Sequence, residues 1–249
     1  MATYPVWTAP PATLELTPNT VHVWRVNTRS LAPQWQQFIH TLSEDEQIRA
    51  NKYVADVHRQ HFIVNRGILR SLLARYLQCA PSTLQFIYET YGKPQLANFP
   101  SHSPFSKECP LYFNVSHSHG TALYAIAFDR IVGIDLEYIR PIEVEPLTQR
   151  FFTPNEYEAL CALPPQERQD AFFKLWTHKE ALVKATGSGL QALKQFDVAF
   201  LLKPSLQPNQ GLPNWFLHTI EIDATYKGAI AVQGEAVTLD YWLYTDFGF

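Results

Sequence analysis

The stretch ALYAIAFDRIVGIDLE, from Ala122 to Glu137, holds two apolar runs split by a charged pair. Ala122 to Phe128 and Ile131 to Glu137 each read as a strand, and Asp129-Arg130 reads as the turn between them. What lies on either side decides the fold. Upstream, VHVWRV (Val21 to Val26) alternates and is β-branched, which predicts a strand. Ser43 with Glu46 three residues on is a capping-box pattern that opens a helix. From Val57 to Leu77 a longer helix is predicted, with Phe62, Leu69, Leu72, Leu73, Tyr76 and Leu77 as its buried stripe. Pro81 ends it, LQFIYE (Leu84 to Glu89) reads as a strand, and Tyr91-Gly-Lys-Pro94 reads as a turn. A Ser/Pro/His/Asn loop from Ala97 to Pro110 leads into a strand at LYFNV (Leu111 to Val115).

Downstream the same order returns. Helices are predicted over Pro146 to Phe152, Pro154 to Leu163 and Gln166 to Thr186, with Gly187-Ser-Gly189 as the stop. Strands are predicted at Phe196 to Leu202, Trp215 to Ile222, Gly228 to Gly234 and Val237 to Tyr244, with a Pro/Asn/Gln-rich loop from Lys203 to Pro213. Strand, helices, strands thus occurs twice. The expected fold class is α+β, with two similar tandem subdomains in a pseudo-two-fold arrangement. Each would be a small antiparallel sheet packed with helices, with an active site in the cleft between them. The expected division is residues 1–130 and 131–249.

Composition narrows the function. The chain has 249 residues, 46% hydrophobic and 17% charged, which excludes a disordered chain. The formal net charge of -3 argues against a nucleic-acid partner. No apolar run reaches 18 residues, so no membrane span is expected. The N-terminus has no basic region and is broken by prolines, unlike a signal peptide. Cys79, Cys109 and Cys161 are odd in number and far apart, which points to a reducing cytoplasm. Charge is uneven. Residues 57–88 hold Arg59, Arg66, Arg70 and Arg75 and no acid, whereas residues 133–158 hold six acids against Arg140 and Arg150. A cleft with one basic and one acidic wall is one reading; two ordinary solvated surfaces is the other.

Three segments carry candidate chemistry. In VGIDLE, Asp135 and Glu137 are two apart on a strand and so share a face. Paired carboxylates repel unless a cation joins them, and hard oxygen ligands suit Mg²⁺. The plain alternative is two acids on a solvated face. Gly133 favours close approach of a ligand or of backbone. In FFKLWTHKEALVK, Glu180 and Lys184 lie on one helix face, either as a surface ion pair or as groups aimed at the other half; His178 and Lys179 are expected on the outer face. In FNVSHSHG, Ser116, His117 and their neighbours end a strand and could cradle an anion, with a turn histidine as the alternative.

Together these segments resemble the 4′-phosphopantetheinyl transferase superfamily, in its Sfp-type branch. The resemblance runs from about Ser43 to Leu190 and rests on FNVSHSHG, Val132-Gly-Ile-Asp135, RFFTPNEY and Trp176-Thr-His-Lys-Glu-Ala-Leu-Val-Lys184, with YGKP upstream. It implies transfer of the 4′-phosphopantetheine arm of coenzyme A to a serine of an apo acyl, peptidyl or aryl carrier protein, leaving 3′,5′-ADP. It implies Mg²⁺, or Mn²⁺ in its place, held by Asp135, Glu137 and Glu180, with Glu180 and Lys184 catalytic. Lys93, Ser116 and His117 would contact coenzyme A, and Arg49, Lys52 and Arg59 would add phosphate contacts. Glu156 would belong to the edge of the site as an accessory residue. A cytoplasmic monomer is expected. A basic residue common in relatives falls here on Glu46, which departs from the pattern. A binding module without catalysis would be expected to have lost one of the acids or Lys184, and all four are present.

Overall fold

The computed structural model describes residues 5–202 and 212–244. The expected loop over 203–213 therefore lies almost wholly outside the described residues. The first half begins with β1 (Thr20–Asn27), two one-turn helices, α1 (Thr28–Leu31) and α2 (Gln36–Ile39), then α3 (Glu44–Asn51) and α4 (Asp56–Leu77). A small hairpin of β2 (Phe86–Tyr88) and β3 (Pro94–Leu96) follows, then β4 (Leu111–Ser118) and β5 (Thr121–Phe128). The second half holds β6 (Val132–Tyr138), α5 (Val144–Phe151), α6 (Pro154–Cys161), α7 (Pro165–Thr186), β7 (Trp215–Ile220), β8 (Tyr226–Gln233) and β9 (Thr238–Leu243).

The fold is α+β, with small antiparallel sheets packed by helices. Its halves repeat one topology. In the first, β5 is flanked by β4 and β1, both antiparallel to it; in the second, β8 is flanked by β7 and β6, again antiparallel. Each half has one long helix of 22 residues, α4 and α7. The last strand departs from this symmetry. β9 pairs in parallel with β1, so the C-terminal strand joins the sheet of the first half.

Packing follows the period of two along each strand. One face of the first sheet, with Trp24, Val26, Tyr124 and Ile126, packs on Ile63, Val64, Ile68, Leu72 and Leu73 of α4. The opposite face, with Val21, Val23, Leu123 and Ala125, packs on Val132, Ile134, Ile230 and Val232 of the second sheet. Ala229 and Ala231, on the far face of that sheet, pack with Leu175 and Leu182 of α7. The layers are thus helix, sheet, sheet, helix. Each fully buried Ile, Leu or Val contributes roughly 1.5–3 kcal/mol before chain entropy is counted.

Three expectations change. Residues 196–202 form no strand; a 3-10 turn spans Ala199–Leu202. Local polar bonds override the β-rich composition: Glu156 Oε1 accepts from the Val198 N–H at 2.9 Å and Asp197 Oδ1 from the Ala199 N–H at 3.0 Å. His178 and Lys179 are not on an outer face but fully buried. The reason is that α7 lies between the second sheet and a cover of α5, α6 and the turn at 199–202, so most of its circumference is enclosed. The arginines of α4 do not form a free basic wall. Arg70 is 1% exposed, with Nε 2.5 Å from Glu46 Oε2 and further bonds to Ser43 and to the carbonyls of Pro81 and Leu84. Arg66 also faces Glu46, at 3.4 Å. Glu46, the apparent departure from the family pattern, is thus a buried counterion for two of the four arginines.

Candidate active site

Gly133 brings the site together. A Cβ on it would lie 2.0 Å from the Ala181 carbonyl oxygen and 2.4 Å from the Ala185 nitrogen, both backbone atoms of α7. Only glycine lets that helix lie so close on β6. The approach sets Glu180 and Lys184, one helical turn apart, beside Asp135 and Glu137 on the same face of β6.

The closest contacts centre on Asp135, which is 3% exposed. Its Oδ1 accepts from Lys184 Nζ at 2.6 Å and from the Ser116 hydroxyl at 3.0 Å. Ser116 Oγ accepts in turn from Lys184 Nζ at 2.8 Å and from the Leu136 N–H at 3.2 Å. Asp135 Oδ2 is buried and has no hydrogen-bond partner among the described residues. Burial and the nearby Asp135 carboxylate push Glu180 up to about 7, with Glu137 adding and Lys184 opposing. Glu137 is raised by burial and by Asp135, against a hydrogen bond from Trp176 and the charges of Lys184 and Arg140. One buried acid with an orphaned oxygen, beside two half-buried acids that it repels, is a donor set that suits a hard divalent cation. Among the described residues, no three Asp, Glu, His or Cys side chains are placed to hold a metal ion together.

Two cavities flank this cluster and share Pro94 and Val115 in their walls. One, of about 290 Å³, is lined by Glu180, Lys184, Lys93, Tyr91, Asn114 and Leu190. Lys93 Nζ donates to the Ala185 carbonyl at 2.5 Å, and burial lowers its pKa against the opposing charge of Glu89. The other, of about 430 Å³, is lined by Arg49, His58, His61, Asn65, Arg66 and His117 among others. Burial lowers the pKa of His117, as do the charges of Lys184 and His61, while Asp135 opposes. Such a wall of cations and imidazoles suits a phosphate.

Asp135, Glu137, Glu180, Lys184, Ser116, Lys93, Arg49 and His117 therefore fall in or around one region. The other expected residues do not. Lys52 is exposed at the end of α3 and lines neither cavity. Arg59 pairs with Asp56 at 2.9 Å and lies over the Trp35 ring, and it lines neither cavity. Glu156 is not at the edge of a cleft. It is fully buried and accepts from Lys179 Nζ at 2.7 and 2.8 Å, from the Thr153 N–H at 2.7 Å and from the Val198 N–H. In the sequence Arg66 stands out only as one of the four arginines of residues 57–88, and His58, His61 and Asn65 do not stand out as site residues. Their signal was positional: 58, 61, 65 and 69 recur at helical spacing on one face of α4.

A helix carrying an acid and a lysine one turn apart, laid through a glycine onto a strand of paired acids beside a basic cavity, is an arrangement suited to phosphoryl transfer. Comparison with known proteins gives the family. Residues 131–237 match the model of the 4′-phosphopantetheinyl transferase superfamily, and residues 27–128 match that of the 4′-phosphopantetheinyl transferase N-terminal region. The chain is 41% identical to the 4′-phosphopantetheinyl transferase HetI of Nostoc sp. over 240 residues, 96% of this chain and 98% of that protein. It is 30% identical to the 4′-phosphopantetheinyl transferase Sfp of Bacillus subtilis over 203 residues, covering 78% of this chain and 84% of Sfp. With AcpT of Salmonella typhimurium it shares 33% identity over 129 residues, 51% of this chain and 61% of AcpT. The chain belongs to the 4′-phosphopantetheinyl transferase superfamily. Its reaction is the transfer of 4′-phosphopantetheine from coenzyme A to a carrier protein.

Proposed function

We propose that the transfer takes place where Asp135, Glu137, Glu180 and Lys184 meet, with Mg²⁺, or Mn²⁺ in its place, held by the three carboxylates. The observation that carries this is the buried Asp135 Oδ2, without a hydrogen-bond partner among the described residues, beside Glu137 and Glu180, whose pKa values are both raised by burial and by Asp135. When bound, the metal neutralises charge on the pyrophosphate of coenzyme A.

The side chains of the protein supply the rest. Arg49, Arg66, His58, His61 and His117 surround the cavity suited to the 3′-phosphate and adenylate end of coenzyme A, and Lys93 lines the other cavity with Glu180 and Lys184. The serine oxygen of the carrier forms a bond to the phosphorus that bears the pantetheine arm. The bond from that phosphorus to 3′,5′-ADP breaks. Lys184 stabilises the negative charge that grows on the leaving phosphate. Glu180, or a water beside the three carboxylates, would take the serine proton.

The substrates proposed are the acyl, peptidyl and aryl carrier proteins, with the chain acting as a cytoplasmic monomer. In support, Cys79, Cys109 and Cys161 are free thiols, and among the described residues no helix is long and apolar enough to cross a membrane. Residues 1–130 form the coenzyme side and residues 131–249 the metal and catalytic side, a division supported by the two family matches meeting between 128 and 131. The test is incubation with coenzyme A, Mg²⁺ and a panel of apo carrier proteins, followed by mass spectrometry. A gain of one phosphopantetheine arm, abolished by a chelator and restored by Mg²⁺, is expected. Undiminished transfer in the chelator would overturn the metal reading.

A further inference from the structure

Strands β4 and β6 are each the outer strand of their own sheet, and they lie against one another. No backbone ladder joins them. On β4 every second side chain does so instead. Asn114 Oδ1 accepts from the Ile134 N–H at 2.9 Å, Ser116 Oγ from the Leu136 N–H at 3.2 Å, and Ser118 Oγ from the Tyr138 N–H at 3.0 Å. Both strands repeat every two residues, so the three bonds form a ladder whose acceptors are side-chain oxygens. Short polar side chains are what this spacing requires, and FNVSHSHG places Asn, Ser and Ser at intervals of two.

Asp135 sits between the first two rungs, so its backbone is pinned on both sides. Ser116 adds a second constraint. A hydroxyl has one donor and two acceptor sites, and here all three are used: the proton goes to Asp135 Oδ1, and the lone pairs take Leu136 N–H and Lys184 Nζ. Oδ1 is thereby turned into the joint between the sheets, and Oδ2 is left buried and without a partner among the described residues.

We infer that Asn114, Ser116 and Ser118 are positioning residues whose ladder joins the two halves and sets how Asp135 presents its Oδ2. This rests on the reading that Asp135 holds the metal. The ladder makes the metal site a property of the interface, since the strand bearing the acid is aligned by the other half of the molecule.

The test is calorimetric titration of Mg²⁺ into the full-length protein with coenzyme A present. Wild type is compared with Asn114→Ala, Ser116→Ala, Ser116→Thr, Ser118→Ala and Asp135→Asn, and the melting temperature of each is recorded. Ser116→Ala is expected to raise the Kd for Mg²⁺ by about tenfold or more, as loss of a group orienting a metal ligand does. Ser116→Thr keeps the Oγ and should bind Mg²⁺ as the wild type does. Asn114→Ala and Ser118→Ala should each weaken Mg²⁺ binding in the same direction. In turnover the losses should fall on kcat more than on the KM for coenzyme A. Variants that melt lower yet bind Mg²⁺ like the wild type would make the ladder packing alone and overturn the inference. Should Ser116→Ala not fold, the outer rungs at Asn114 and Ser118 decide. Asp135→Asn binding Mg²⁺ at wild-type affinity, or wild type binding none, would overturn the metal reading itself and the inference with it.

Discussion

Lys184 Nζ lies 2.6 Å from Asp135 Oδ1, joining the last turns of α7 to the middle of β6. The lysine is 29% exposed at its side chain and the acid only 5%, so one partner reaches the cavity while the other stays inside. This contact is therefore unlike an exposed helix pair, which is worth a few tenths of a kcal/mol.

Removing either partner should separate chemistry from stability. Lys184→Ala is expected to lower kcat by roughly 10² or more, since it removes charge complementary to the transition state. Coenzyme A binding should change much less, because the basic cavity around Arg49, His61 and His117 stays intact. Asp135→Asn should be at least as damaging to kcat while keeping the bulk of the side chain. Steady-state kinetics beside thermal melts check both. A Lys184→Ala enzyme with near wild-type kcat and only a lower melting point would show the pair to be structural.

Gly133→Ala tests the close approach. A new Cβ would meet the Ala181 carbonyl and the Ala185 nitrogen, neither of which is a flexible side-chain end. The helix must move off the strand. Overpacking of this kind costs about 1–3 kcal/mol or more. Both the melting temperature and the kcat of the folded fraction should fall, because Glu180 and Lys184 travel with the helix. An alanine variant with wild-type melting and rate would mean that α7 does not need this contact.

The buried pair of Lys179 and Glu156 should behave differently from the site acids. Both side chains are fully buried, and both Glu156 oxygens are already used. Lys179→Met leaves the carboxylate without its counterion, which costs about 3–5 kcal/mol. The double variant Lys179→Met with Glu156→Leu should recover part of that loss. Chemical denaturation measures it. Activity per folded molecule should stay near wild type in any variant that folds; a kcat loss of 10² with unchanged stability would place Glu156 in the chemistry after all.

How much of this was legible depended on whether the signal was local. Asp135 with Glu137, and Glu180 with Lys184, could be paired because the strand and helix periods put each pair on one face. The two halves were readable from the order of their elements, but not that β9 would pair with β1, a contact between chain positions more than two hundred residues apart. Lys179 reads as an outer-face charge and Glu46 only as a helix-capping acid because their counterions come from other elements, Glu156 on α6 and Arg70 on α4. The side-chain ladder was hidden for a related reason. Asn114, Ser116 and Ser118 look like ordinary polar residues at a strand end until an edge strand of the other sheet is laid beside them.

The pH dependence of stability offers a last test, at His178. Its Nδ1–H donates to the Lys174 carbonyl at 2.7 Å, and the Thr219 hydroxyl lies 3.3 Å from Nε2. Burial lowers its pKa from 6.5 to about 4, and the charges of Lys174 and His218 push the same way, against the Lys174 carbonyl bond. The unfolded chain therefore binds a proton there that the folded chain refuses. Stability rises with pH wherever the unfolded state holds more protons, so this contribution is whole above about pH 6.5 and is lost as pH falls toward 4. Its size at the acid end is up to about 3 kcal/mol. Other groups titrate in the same window: His22, His117 and His218 are lowered too and add to the acid loss, while Glu137 and Glu180 are raised and oppose it. The informative quantity is thus the difference between wild type and His178→Gln in denaturant unfolding at several pH values. Glutamine keeps a polar group in the same pocket and has no proton to gain. The variant should be less stable than wild type at pH 7, and the gap should narrow steadily toward pH 4. A gap that stays constant over that range would mean that His178 is not held neutral by its burial against β7.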